Sequence, residues 1–167
     1  MRAARSLSLS RKLWRPTTRC GGIARFTDPP AARDQLEKSG VRCEAVNMAA
    51  GDFTGLPSDF DYVLNLAVAK SGRWDKDMAA NAESAGLLMA HCRSAKAFLH
   101  CSSGAVYDPP DDELRTERTV LGDNHKPPLL PTYSITKIAG GEVVVATMAR
   151  ALGVPTTIAR LNVPLWG

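Results

Sequence analysis

From residue 20 onward, short apolar runs alternate with stretches in which apolar positions recur every three or four residues. The first kind of pattern suits strands and the second suits helices packed on them. "CGGIARF" (20–26) predicts a strand, and "PPAARDQLEKSG" (29–40) a helix with proline in its first turn and Gly40 just past its end. "VRCEAVNM" (41–48) predicts a second strand, "AAGDFTGLPSDF" (49–60) a loop, and "DYVLNLAVA" (61–69) a strand apolar enough to be buried on both faces.

Residues 74–93 place Met78, Ala82, Ala85, Leu88 and Met89 at helical spacing, so an amphipathic helix is expected there. "AFLHCSS" (97–103) reads as the next strand, followed by a long segment, 104–131, rich in proline and acids. A helix over 132–152 stops at Gly153, and "VPTTIARLNV" supplies a last strand. Strands alternating with helices are how a parallel α/β sheet is written, and a doubly wound sheet is the natural assembly.

Composition agrees: 44% hydrophobic and 23% charged residues in a 167-residue chain suit one soluble domain. No run approaches the roughly 20 apolar residues of a membrane span, so no membrane partner is expected. The net charge of +4 is uneven, because residues 1–27 hold seven Arg or Lys and no acid. Such a start suits an organelle presequence, a nucleic-acid-binding arm, or a leader outside the fold. The third reading is favoured, giving a basic leader over 1–19 and a domain over 20–167. A nucleic-acid partner would rest on residues 1–25 alone, where only Trp14 offers a stacking ring. Cys20, Cys43, Cys92 and Cys101 form no CxxC pair, and His91, His100 and His125 are scattered. Reduced thiols, a cytoplasmic location and no metal site are expected, with organelle targeting as the alternative location.

Tyr133 and Lys137 stand four apart in "PTYSITKIAGGE", on one face of the expected helix. A nearby ammonium favours phenolate, which suits a tyrosine to acid/base work near neutral pH. Standing alone, the spacing fits a surface tyrosine beside a solvated lysine equally well. Ser102 and Ser103 end "AFLHCSS", at the carboxyl end of a parallel strand, where such sheets place ligands. A serine hydroxyl there could hold a substrate oxygen, or simply terminate the strand.

Taken together, "FLHCSSGAVYD", then "PTYSITKIAGGE", then "PTTIARLNV" resemble the extended short-chain dehydrogenase/reductase family, the NAD-dependent epimerase/dehydratase type, over roughly residues 20–164. The resemblance implies a Rossmann-like sheet and an NAD(P)-dependent reaction on a small-molecule substrate of the nucleotide-sugar kind. It makes Tyr133 the catalytic acid/base, has Lys137 bind the nicotinamide ribose, and has Ser103 position the substrate oxygen. It further implies that Leu66, Ala67 and Val68 run along the cofactor, with Asn81 near its nicotinamide half. Asn47 and Met48 would lie beside the adenine, although the family usually shows aspartate where Asn47 stands. Arg25 occupies the place where these enzymes choose between cofactors, and an arginine there leans toward NADP. By analogy with family dimers, the helices at 74–93 and 132–152 imply a homodimer.

Before "CGGIARF", the resemblance calls for a strand, a GxxGxxG turn and a helix, since the cofactor pyrophosphate rests on such a turn. No glycine precedes Gly21. The fold is therefore expected to be incomplete, without its first strand, its glycine-rich loop and its C-terminal substrate part. In the order 3-2-1-4-5-6 that strand is central, so two ladder edges should lack it. The expectation divides between an active Ser-Tyr-Lys enzyme and a non-catalytic, truncated remnant of one.

Overall fold

The computed structural model describes residues 19–26, 30–107, 114–123 and 131–161. The leader up to residue 18, most of the proline- and acid-rich part of the 104–131 connection, and the final residues 162–167 lie outside the described residues. Two compact units divide the chain, Met1–Val46 and Asn47–Gly167.

In the first unit, β1 (Cys20–Ala24), α1 (Pro30–Lys38) and β2 (Val41–Ala45) form one β-α-β turn. The strands run parallel, from Cys20 opposite Val41 to Ala24 opposite Ala45. The close fit is legible at Gly22, where a Cβ would stand 3.2 Å from Cγ1 of Val41. Arg33 anchors the helix: its Nε donates to Glu37 Oε1 at 2.8 Å and its Nη2 to the Cys43 carbonyl of β2 at 3.2 Å.

The second unit holds β3 (Tyr62–Asn65), β4 (Ala97–Ser103) and β5 (Thr156–Leu161), parallel and in that order, with β4 in the middle. Between them run α2 (residues 74–91) and α3 (residues 133–152). Phe98, His100 and Ser102 alternate along the buried face of β4. Burying a side chain of the size of Phe98 is worth about 2–3 kcal/mol relative to leaving it in water. Met89, Cys92, Val145 and Val154 are among the other buried side chains of this unit. α3 ends at Gly153, whose φ of +69° is the left-handed conformation that glycine takes without strain.

Sequence periodicity missed one feature of both helices. α2 contains a π-helical turn over Ala79–Glu83, and α3 one over Ala139–Val145. The two turns pack on each other, and Gly140 lies so close to the Asn81 carbonyl that a Cβ there would clash with it. Gly86 on α2 makes room in the same way for Val144 on α3, with a Cβ position 2.6 Å from its Cγ1. Glycine at these contacts lets two helix backbones approach without a side chain between them.

The parallel α/β architecture is the expected one. Its five strands form two ladders, β1-β2 and β3-β4-β5, so β1 and β3 each pair on one edge only among the described residues. β3 departs from expectation, since burial on both faces does not hold. Val63 and Asn65 turn inward, whereas Tyr62 and Leu64 stay 60% and 55% exposed. Strand alternation sends them to the face opposite α2 and α3.

Candidate active site

Ser103 ends β4 in extended conformation, and its Oγ accepts the Ala105 N–H at 3.1 Å, capping a 3-10 turn over Gly104–Val106. The first turn of α3, which opens with Tyr133, packs on that turn just past the carboxyl end of β4. Tyr133 is half-buried, and the Lys70 ammonium stands 5.0 Å from the centre of its ring, within cation–π range.

Lys137 is buried, and its Nζ donates to the Cys101 carbonyl at 2.8 Å and, more weakly, to the Ala67 carbonyl at 3.5 Å. It therefore bridges β4 and the loop after β3. Burial pulls its pKa below the ordinary lysine range; the Cys101 thiol opposes that and Lys70 adds to it. An ammonium carries three N–H donors, so one remains for a further acceptor.

A polar ladder holds the loop after β3 against both helices. Asn81 on α2 accepts the Ala69 N–H at 2.7 Å and donates to the Ala69 carbonyl at 2.9 Å and to Thr136 Oγ1 at 3.0 Å. One turn earlier, the buried Asp77 carboxylate accepts from the Ser71 N–H and hydroxyl, the Gly72 N–H and the Thr132 hydroxyl. Burial pushes the Asp77 carboxyl up, but these bonds outweigh it and hold the group below the usual carboxylate range.

Behind Lys137 lies His100. Asn65 Oδ1 accepts the Ala67 N–H at 3.2 Å, so its amide nitrogen faces His100 Nδ1 at 3.2 Å and donates to it. The ring proton then sits on Nε2, which is buried without a hydrogen-bond partner among the described residues, as are Ser102 Oγ and Ser134 Oγ. Burial, with the Lys137 charge adding to it, lowers the His100 pKa to about 4. Farther out, Arg160 of β5 grips Glu142 of α3 with two bonds, Nε to Oε1 at 2.9 Å and Nη2 to Oε2 at 2.7 Å. Its Nη1 reaches Tyr107 Oη at 3.4 Å and the Glu117 carbonyl at 3.0 Å. The Glu142 hydrogen bond, foremost, holds the guanidinium pKa above its ordinary value.

Ser103, Tyr133, Lys137, Ala67 and Asn81 thus share the carboxyl-end region of β3 and β4. Asn81 spends its side chain on Ala69 and Thr136, whereas Leu66 and Val68, 62% and 48% exposed, present apolar surface from the same loop. Asn47 is exposed, and Met48 opens a 3-10 turn that packs on the π-helical turn of α2. Arg25 belongs to the first unit, exposed just after β1. Sequence reasoning missed Asp77, Thr132, Lys70 and the Arg160–Glu142 pair. A usable signal was the i, i+4 spacing of Asp77 and Asn81, which puts two polar residues on the buried side of an otherwise apolar helix.

The model of the NAD dependent epimerase/dehydratase family matches residues 8–164, a range that takes in part of the basic leader. No curated protein sequence is significantly similar to the chain. Among solved structures, a UDP-glucuronic acid 4-epimerase from Bacillus cereus, in complex with NAD, superposes with a TM-score of 0.74 at 21% identity. The match covers 94% of this chain and 51% of that one. A UDP-galactose 4-epimerase gives 0.71 at 19% identity, covering 92% and 50%. A UDP-glucose 4-epimerase with UDP-glucose from Thermotoga maritima gives 0.68 at 18% identity, again covering 92% and 50%. The chain therefore spans about half the length of the solved structures it resembles. At these identities the likeness establishes the fold, and the match to the family model establishes more: the chain belongs to the NAD dependent epimerase/dehydratase family.

Proposed function

We propose that the chain carries the proton-transfer side of an NAD-dependent epimerase or dehydratase acting on the sugar of a nucleotide sugar. The observation that carries this reading is Lys137, one helical turn after Tyr133, a buried ammonium held among the described residues by the Ala67 and Cys101 carbonyls, with Ser103 two residues beyond Cys101 at the strand end. A lysine so placed has a spare donor for a ribose hydroxyl, so this half of the site fits a nicotinamide riboside. Leu66, Ala67 and Val68 would flank the cofactor, Asn81 would hold that loop in place, and Asn47 and Met48 would meet the adenine.

In this reading Ser103 orients the substrate hydroxyl or carbonyl, and Tyr133 takes the hydroxyl proton as the alcohol is oxidised and returns it on reduction. The dinucleotide, when bound, supplies the hydride chemistry. An NAD-type cofactor is favoured, since the Bacillus cereus relative was crystallised with NAD; the lean toward NADP rests on Arg25 alone and gains no support.

The second reading, a non-catalytic form, is favoured by the two separate ladders, in which no described strand joins β1 to β3. Incubating the chain with NAD and UDP-glucose, UDP-galactose or UDP-glucuronic acid, and following the sugar by NMR, separates the two. The enzyme reading expects conversion that Tyr133→Phe slows by roughly a hundredfold or more. No conversion of any of the three, or conversion unaffected by that change, contradicts it.

A further inference from the structure

Asp77 stands outside the Ser-Tyr-Lys set, yet its partners lie next to it in sequence. Its Oδ1 accepts from the Ser71 N–H at 2.9 Å and the Ser71 hydroxyl at 2.7 Å. Oδ2 accepts from the Gly72 N–H at 3.0 Å and the Thr132 hydroxyl at 2.6 Å. All four donors are neutral, and Asp77 is 0% exposed. A buried carboxylate is costly unless its hydrogen bonds are complete, so this one is a rigid four-way junction. Thr132 immediately precedes Tyr133, and Ser71 immediately follows Lys70, whose ammonium lies over the Tyr133 ring.

We propose that Asp77 is a positioning residue for Tyr133: its carboxylate fixes the distance between the head of α3 and the turn that carries Lys70, and so the seat of the Lys70 ammonium on the tyrosine ring. The proposal rests on the reading of Tyr133 as the acid/base group. It explains why an acid is used where a neutral side chain would avoid the cost of burial. Asparagine offers one acceptor oxygen, and wherever its NH2 points it would face a backbone N–H that cannot accept and a hydroxyl that must turn round to do so. Thr132→Val deletes a single bond of the junction, and Thr132→Ser keeps it.

The test uses the full chain with isotope-labelled tyrosine, the Tyr133 ring resonance being assigned with Tyr133→Phe. Asp77→Asn and Thr132→Val each shift the Tyr133 resonance and speed hydrogen exchange at the Ser71 and Gly72 amides by about tenfold or more, the loss expected for a hydrogen bond to a charged group. The double variant moves no further than Asp77→Asn, Thr132→Ser restores the parent spectrum, and the Tyr62 and Tyr107 resonances stay in place. Should Asp77→Asn fail to fold, Thr132→Val decides in the same way. A folded variant with an unmoved Tyr133 resonance overturns the proposal, as does a double variant whose effects simply add. Failure of the parent chain to convert any nucleotide sugar counts against the proposed function and leaves these spectra unchanged, so the two failures are distinguishable.

Discussion

His100 should make the second unit acid-sensitive by a predictable amount. Its ring is 1% exposed, its Nδ1 is filled by the Asn65 amide, and the Lys137 ammonium adds to the cost of a positive charge there. Protonating Nδ1 would put an N–H against an NH2 group. The folded-state pKa accordingly falls from the ordinary 6.5 to about 4. Above the unfolded value neither state binds the proton, and stability is at its full level. As pH falls through 6.5 toward 4 the unfolded chain takes up a proton that the folded chain refuses, so stability is lost across that window. The interval is worth about 3 kcal/mol at 1.36 kcal/mol per unit. Urea denaturation followed by circular dichroism, at neutral pH and near pH 4, should show the parent losing about that much more stability than His100→Gln, which cannot titrate. Equal losses in the two proteins would refute the assignment of a buried neutral imidazole.

Other outcomes follow from the packing and the site. Gly140→Val drives a side chain into the Asn81 backbone and should cost about 3 kcal/mol, whereas Gly55→Ala, with no atom within 4 Å, should leave the thermal midpoint nearly unchanged. Arg160→Met strands the Glu142 carboxylate and should cost on the order of 2 kcal/mol in chemical denaturation; adding Glu142→Gln should recover part of it. Tyr133→Phe should lower turnover of a nucleotide sugar by roughly a hundredfold to ten-thousandfold with little change in thermal stability, a split measured by kinetics beside calorimetry.

The strand-helix alternation was legible because each element buries one side at its own period: α2 and α3 follow the 3.6-residue repeat on either side of their π-helical turns, and Gly40 and Gly153 mark the ends of α1 and α3. The candidate site residues Ser103, Tyr133 and Lys137 came from motifs, which name residue types at a spacing and say nothing of what lies behind them. The carbonyl seat of Lys137, the Asp77 junction and the Asn65–His100 bond join segments 35 to 70 residues apart, and no local pattern encodes such pairs. The π-helical turns escaped notice because an extra residue in one turn leaves the apolar count of a helix nearly unaltered. β3 was misjudged because apolar composition does not reveal whether both faces are covered.

The central claim, that Lys137 and Tyr133 serve a nicotinamide dinucleotide, is tested most directly by titrating the full chain with NADH and, in parallel, NADPH in a calorimeter. The account predicts saturable binding of NADH that Lys137→Met weakens by about tenfold, the loss of one hydrogen bond to a charged group. Absence of saturable binding at millimolar NADH, or binding that Lys137→Met leaves unchanged, would contradict it.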